Sequence, residues 1–292
     1  MEIGTLPSCP YLETELQEFR QETTMQTRIK PTPLIVLAAG SLRNVFVEII
    51  SEFERQLGIP VHIEHGPAGL LREKIEEGAL FDVFASANLA HPEKLHSLGL
   101  TGPVLCFAQN RLCLIARRSL AVNEENLIDV LADPEVRLGT STPMADPSGD
   151  YAVEFFQNVE RRHPGKGRLL AGKAQALVGG RNSAPIPKGR TPAGYLIGQG
   201  TVDTFISYAS NGLLNEGDPN LVVVPLPEAL GPTAKYGVSL RRNAAGSAAL
   251  FRNHLFTPTT KLALAGHGYV ADGDSSYEAP ANARPRKIRA TI

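Results

Sequence analysis

Neither sign of charge is in excess in this chain of 292 residues: 29 lysines and arginines meet 30 aspartates and glutamates, for a formal charge of −1. No overall field draws such a protein to nucleic acid or to an anionic membrane, so a site for an anion must be built locally. No stretch approaches the ~18 to 20 uninterrupted apolar residues of a membrane span, and the body of the protein reads as soluble. Cysteine is scarce. Cys9, Cys106 and Cys113 match neither a zinc motif nor a redox CxxC pair, which suits a reducing compartment, and the apolar runs VLCFA and RLCLIA mark Cys106 and Cys113 as small buried hydrophobes. The basic start and apolar core of a secretory signal are missing too; residues 1–32 carry Glu2, Glu13, Glu15, Glu18 and Glu22 instead, so the chain as written is expected in the cytoplasm. Catalytic signatures are also wanting: there is no GxSxG elbow, no GxxxxGK[ST] loop and no GxGxxG after a strand, and GTSTP around Ser141 lacks the second glycine of an elbow. The expectation is a protein that is not an enzyme.

What is present is an alternation of strands and helices long enough for two cores, since single cores seldom grow past ~250 residues. The first 32 residues read as an arm with one short helix over Leu12 to Thr23, closed by Pro31 and Pro33. Strands are then expected at Leu34 to Ala39, Val61 to Glu64 and Asp82 to Ala85, alternating with helices at Leu42 to Leu57, Leu70 to Glu77 and Ala90 to Leu98, the signal of a parallel α/β sheet. Two apolar strands, Val104 to Ala108 and Leu112 to Ala116, come close around Gln109, Asn110 and Arg111. A second series follows: helices at Glu124 to Ala132, Pro147 to Arg161, Ala171 to Val178 and Pro192 to Gly198, with strands at Val136 to Gly139 and Val202 to Tyr208. After the interruption at Pro225, Pro227 and Pro232 come a strand at Lys235 to Leu240 and helices near Ala245 to His254 and Pro258 to Ala265. From Gly273 onward the mixture of Pro, Ala, Ser and Arg reads as a solvated tail.

Three places share one pattern, in which a strand ends, a small or polar residue follows and a helix begins. Ala38-Ala39-Gly40-Ser41 puts Ser41 at an N-cap. Gly66-Pro67-Ala68-Gly69 would let a ligand approach the backbone closely. Asp146-Pro147-Ser148-Gly149 reads as an N-cap Asp with Pro at the first helical position, leaving the amides of Ser148 and Gly149 free. Each is a helix start with unpaired donors and a partial positive charge suited to an anion, and in open α/β sheets such ends gather at the crevice beyond the strand carboxyl ends. Any one of them is explained by capping alone, Asp146 most completely. The coincidence of three, from two α/β series, is what points to a ligand.

The ordered runs LIVLAAGSLRNVFVEIISEFERQLGIPV, REKIEEGALFDVFASAN, FAQNRLCLIA, GTSTPMADPSGDYAVEFF and GTVDTFISYAS resemble the molybdate- and tungstate-binding proteins of bacterial ABC transporters, over roughly Leu34 to Val270. The resemblance implies a two-lobed, type II periplasmic-binding-protein-like α/β fold, each lobe a mixed sheet flanked by helices, with two crossover hinges near Cys106 to Asn110 and Pro225 to Lys235. The lobes would comprise 33–108 plus 236–272 and 109–235, between an arm at 1–32 and a tail at 273–292. It implies capture of a tetrahedral oxyanion without covalent chemistry and without a cofactor, as a monomer, with a permease as partner if the chain is exported; members are usually periplasmic or extracellular. Carried over residue by residue, the oxyanion-binding set is Ser41, Ala68, Ser148, Arg190 and Tyr208. Ala68 stands where the family has a ligand serine and offers a backbone N–H but no hydroxyl. Arg190, in PKGRTPAG, stands where relatives usually carry an uncharged residue, so its guanidinium is expected to replace the lost donor.

A divalent-metal binder of the same fold is the alternative, with His62 and His65 of VHIEHG supplying imidazole and Asp82, Asp146 or Asp150 oxygen. On a strand, however, the two histidines point to opposite faces or nearly so. A small-molecule enzyme is a remoter alternative.

Overall fold

The computed structural model of the protein describes residues 32–271. The expected N-terminal arm with its helix over Leu12 to Thr23, Cys9, and the tail at 273–292 lie outside the described residues.

The first sheet forms as the apolar runs dictate. β1 (Leu34–Ala39) is buried on both faces apart from the half-buried Ile35, which is how a strand covered by helices on either side reads in sequence. After a 3-10 turn (Gly40–Leu42), α1 (Arg43–Leu57) buries Val45, Phe46, Ile49, Ile50 and Phe53, an apolar stripe at helical spacing. It stops at Gly58, whose left-handed φ of 65° lets its N–H reach the carbonyl of Glu54 at 2.8 Å. β2 (Val61–Gly66), α2 (Ala68–Glu76), β3 (Val83–Ser86), α3 (Ala90–Ser97) and β4 (Leu105–Asn110) follow. The chain then enters a second sheet with β5 (Leu112–Arg117), α4 (Leu127–Ala132), β6 (Leu138–Ser141), α5 (Pro147–Arg162), α6 (Lys166–Lys173), β7 (Gln175–Val178), α7 (Pro192–Gly198), β8 (Thr204–Tyr208), α8 (Ala209–Leu213) and β9 (Leu221–Pro225). It returns to the first sheet with β10 (Ala234–Leu240), α9 (Gly246–His254), α10 (Pro258–Gly266) and β11 (Val270–Ala271).

The strand orders are β11-β4-β10-β3-β1-β2 and β7-β6-β8-β5-β9. Both sheets are mixed: β1 runs parallel to β2 and β3, and β6 parallel to β7 and β8, while β10 and β5 run antiparallel to their neighbours. The chain therefore crosses between sheets twice, at Arg111 and at residues 226–233. One hydrophobic cluster runs from Leu34 and Phe46 through Tyr236 and Tyr208 to Leu138 and Phe155, so the two sheets share a core; a smaller cluster around Ile115, Val202 and Phe205 belongs to the second sheet alone.

Three expectations are corrected. The run 171–178 is not one helix: α6 ends at Lys173, and Gln175–Val178 is a strand pairing in parallel with β6. A short apolar run is ambiguous between helix and strand, and here an available sheet edge decides it. LVVVP at 221–225, read only as proline-interrupted, is β9, one of the two outer strands of the second sheet, where a terminal proline costs no ladder bond. Ser41 is no N-cap. It lies within the 3-10 turn and makes no capping bond, because its hydroxyl is engaged by Tyr236 of β10 and its carbonyl by Tyr269.

Candidate functional site

The carboxyl ends of β1, β2, β6 and β8 carry the residues singled out in the sequence. Past β1, the carbonyl of Ser41 accepts a hydrogen bond from the Tyr269 hydroxyl at 2.7 Å, and its Oγ accepts one from the Tyr236 hydroxyl at 3.0 Å. Past β2, Ala68 is fully buried and opens α2. The next residue, Gly69, donates its N–H to the carbonyl of Ala145 at 2.9 Å, a main-chain bond from the first lobe to the second. A Cβ at Gly69 would lie 2.1 Å from the Met144 carbonyl oxygen, so only glycine permits this approach.

Facing it, the segment after β6 leads into α5. Asp146 caps this helix with Pro147 at the first helical position, as the sequence predicts, but the amides of Ser148 and Gly149, expected free, are both engaged by it: Oδ1 accepts from the Ser148 N–H at 3.1 Å and the carbonyl from the Gly149 N–H at 2.8 Å. Burial pushes the Asp146 carboxyl up to about 6, with the charge of Asp150 adding to it against the hydrogen bonds from Ser148 and Ser141. Asp150 accepts from the N–H of Met144 at 2.6 Å and so fixes Met144 at the positive φ of 66° beside Gly69. Ser148 itself is buried.

Tyr208 ends β8 at 2% exposure, and its hydroxyl has no hydrogen-bond partner among the described residues. Its ring centroid lies 5.9 Å from that of Tyr236 and 6.4 Å from that of Tyr151. Burial raises its phenol well above the usual range, and the neighbouring Tyr236 and Asp146 push the same way. Tyr236 thus touches Ser41 on one side and Tyr208 on the other, while Tyr208 feels the charge of Asp146, the cap of α5. Ser41 and Tyr208 are thus linked through Tyr236, and the segments that open α2 and α5 meet through the Gly69–Ala145 bond.

Arg190 is not brought into this group by any contact. It is exposed on the loop before α7; its N–H bonds to Pro187 at 3.2 Å, and its guanidinium makes no hydrogen bond or ion pair among the described residues. The helix it precedes is capped by Thr191, which accepts from Gly194 at 3.1 Å and donates to Asn215 at 2.6 Å. The arginine that does reach across the lobes is Arg181, paired with Glu73 of α2 at 2.6 Å.

Sequence reasoning missed Tyr236, Tyr269, Asn110, Arg181 and the role of Gly69. Asn110, 1% exposed, donates from Nδ2 to Ser210 Oγ at 2.8 Å and leaves its Oδ1 unpartnered. Its place between two apolar runs was the one available signal. The tyrosines carry no local mark, because their importance comes from contacts with Ser41, far away in sequence. The metal alternative gains nothing: His62 is exposed, and His65 is held neutral down to about 4, by burial first and then by Arg43. Asp82 is occupied by the Ile35 N–H and Arg241, and among the described residues no three His, Cys, Asp or Glu side chains gather to hold a metal.

Two mixed sheets joined by two crossovers, with helix starts of both lobes meeting between them, define a two-lobed solute-binding protein of the type II periplasmic-binding-protein class. The chain belongs to the bacterial extracellular solute-binding protein family, whose model matches residues 34–270. It is 44% identical over 202 residues to an uncharacterised protein of Pasteurella multocida, spanning 69% of this chain and 84% of that one. It is 27% identical over 143 residues to the molybdate-binding protein ModA of Azotobacter vinelandii, spanning 48% of this chain and 56% of ModA. The solved periplasmic molybdate-binding protein of the same organism has a TM-score of 0.66 at 20% identity, covering 81% of this chain and 98% of its own. The sulfate-binding protein SubI of Mycobacterium tuberculosis also scores 0.66, at 15% identity, covering 83% and 88%.

Proposed function

We propose that this protein captures a tetrahedral oxyanion, molybdate or tungstate, between its lobes through non-covalent contacts alone. The observation that carries this reading is the buried, unpartnered hydroxyl of Tyr208, set beside Tyr236 and close to the start of α5. A buried donor left without an acceptor costs folding free energy, about 1 to 3 kcal/mol, and a site that recovers that cost on binding an acceptor accounts for its persistence. An oxyanion is an acceptor on every face. Ser41 and Tyr208 would give hydroxyl donors, Ala68 a main-chain N–H, and α2 and α5 the positive ends of their dipoles, the Ser148 N–H itself being held by Asp146. No bond of the ligand needs to change, so the protein acts as a carrier. Its partner would be an ABC permease that receives the anion, which fits the extracellular setting in the family's description better than the cytoplasm. No described helix is long and apolar enough to cross a membrane.

The ModA match and the ModA-like structure support molybdate, whereas the equal structural likeness to a sulfate binder supports only the wider class of tetrahedral dianions. A thermal-shift screen of molybdate, tungstate, sulfate, phosphate and divalent cations decides the matter, since a ligand of the folded state alone raises stability by about 2.7 kcal/mol at a hundredfold excess over its Kd. The expected result is a shift largest with molybdate or tungstate. A shift with cations only would overturn the reading.

A further inference from the structure

Two contacts one helical turn apart join α2 to the second lobe. Gly69 donates its N–H to the Ala145 carbonyl at 2.9 Å, and Glu73, four residues on, accepts from Nη2 of Arg181 at 2.6 Å. Residues i and i+4 of a helix share a face, so the backbone bond and the ion pair lie along one line of α2. Their partners come from different segments of the second lobe, Ala145 after β6 and Arg181 after β7. Neither end of the pair is loosely held. Arg72, only 18% exposed along its side chain, pairs with Glu73 at 3.3 Å and with Glu76 at 2.7 Å. On the other side, Arg181 stands in a turn that closes on itself: the Gly180 N–H donates to Ser183 Oγ at 2.9 Å, and the Ser183 N–H donates to the Gly180 carbonyl at 3.1 Å. The turn follows directly on Val178, whose carbonyl accepts from both the N–H and the hydroxyl of Thr142.

We infer that Arg181 is a positioning residue for solute binding, which clasps the two lobes together through Glu73 and so sets how long a captured solute is held. Both side chains are partly exposed, 69% for Arg181 and 35% for Glu73, and such a pair within one rigid body contributes little. This pair is placed differently. It spans two lobes, so it forms in one arrangement of them and is absent from the other, and its entire free energy biases that equilibrium. When the lobes part, Glu73 still has Arg72, so opening breaks one ion pair without stripping the carboxylate of its partners. The clasp acts through Glu73 and not on the solute, and it slows the escape of any solute alike. For the release of molybdate the inference rests on the oxyanion reading above; the clasp itself needs no ligand.

Arg181→Ala tests this without touching the core. In the ligand-free full chain, hydrogen exchange at the Gly69 amide should quicken about two- to fivefold, while the amides of β1 keep their protection. Stopped-flow release of molybdate should quicken by the same factor with its association rate unchanged. Wild-type release should also speed up between about 10 mM and about 300 mM salt, and release from the variant should not. Arg181→Lys keeps the charge and should stay within about twofold of the wild type. In a Glu73→Gln background, Arg181→Ala should add nothing, the mark of one shared interaction. If the wild type binds molybdate and either rate is unmoved in Arg181→Ala, the inference is overturned and the oxyanion reading stands; full additivity with Glu73→Gln overturns it as well. If the wild type binds no oxyanion, that reading falls, and Gly69 exchange alone decides: quickened exchange upholds the clasp, and unmoved exchange removes it.

Discussion

Tyr208 and Tyr236 lie with ring centroids 5.9 Å apart at an interplanar angle of 58°, and of their two buried hydroxyls only that of Tyr236 has a partner. The two residues come from different sheets, yet they belong to one hydrophobic cluster. Their asymmetry separates a group built to hold the site from a group left open to fill it.

Tyr208→Phe should therefore move stability and affinity in opposite directions. Without ligand, the variant loses an unsatisfied buried hydroxyl and should be at least as stable as the wild type, by up to about 1 to 3 kcal/mol. With molybdate, it lacks one donor to a charged group and should bind about ten- to a hundredfold more weakly. Denaturant unfolding of the apo protein beside calorimetric titration checks both; a variant that is less stable and binds normally would return Tyr208 to an ordinary core role.

Asp146 gives a pH dependence with a definite sign. Its carboxyl is pushed up to about 6 from an ordinary 3.8, so below 3.8 it costs the folded state nothing. As pH rises from there to 6 the unfolded chain releases its proton while the folded chain keeps it, and above 6 the full penalty, about 3 kcal/mol, is in force. Glu52, Asp129, Glu160 and Asp203 are held low by hydrogen-bonding and charged partners and act oppositely, losing their stabilisation in acid. The informative quantity is thus the difference between Asp146→Asn and wild type, both of which can cap α5. The variant's advantage should grow between about pH 4 and 6 and level off above; a flat difference in urea midpoints would contradict the burial of this group.

Gly69→Ala should hold the lobes apart. Alanine favours a helix over glycine by about 1 kcal/mol, so α2 itself should not suffer, but the added methyl meets the main chain of Met144 and Ala145. Small-angle scattering with saturating molybdate should report a larger radius of gyration than for the wild type, along with weaker binding. An identical radius would mean that the lobes meet elsewhere.

Arg190→Ala should change molybdate affinity by less than about twofold, as befits an exposed charge without a partner. Calorimetry on this variant decides between the compensation expected from sequence and the surface position found. A tenfold loss would put the guanidinium at the anion after all.

Much of the architecture was legible because its elements are punctuated locally. Gly58 ends α1, Pro147 and Pro192 open α5 and α7, and LIVLAA can be little else than a covered strand. What escaped were segments whose state is set by a neighbour: β7 becomes a strand by pairing with β6, and β9 by pairing with β5. The site divided along the same line. Ser41, Ala68 and Ser148 follow strand ends and could be found by the turn-to-helix pattern, although Ser41 turned out to be held by tyrosines rather than to cap. Tyr236 and Tyr269 act on Ser41 from 195 and 228 residues away, distances at which no local pattern carries information.

The apolar cluster that passes from Leu34 through Tyr236 and Tyr208 to Phe155 has a calorimetric consequence. A lobe with a private core can melt alone, in which case ligand bound between two lobes registers weakly on each. Here neither lobe can come undone without baring the rings at the junction, so heat should take both sheets apart in one cooperative event. Binding energy spent at the cleft is then spread over the whole transition, and a single melting temperature reports it.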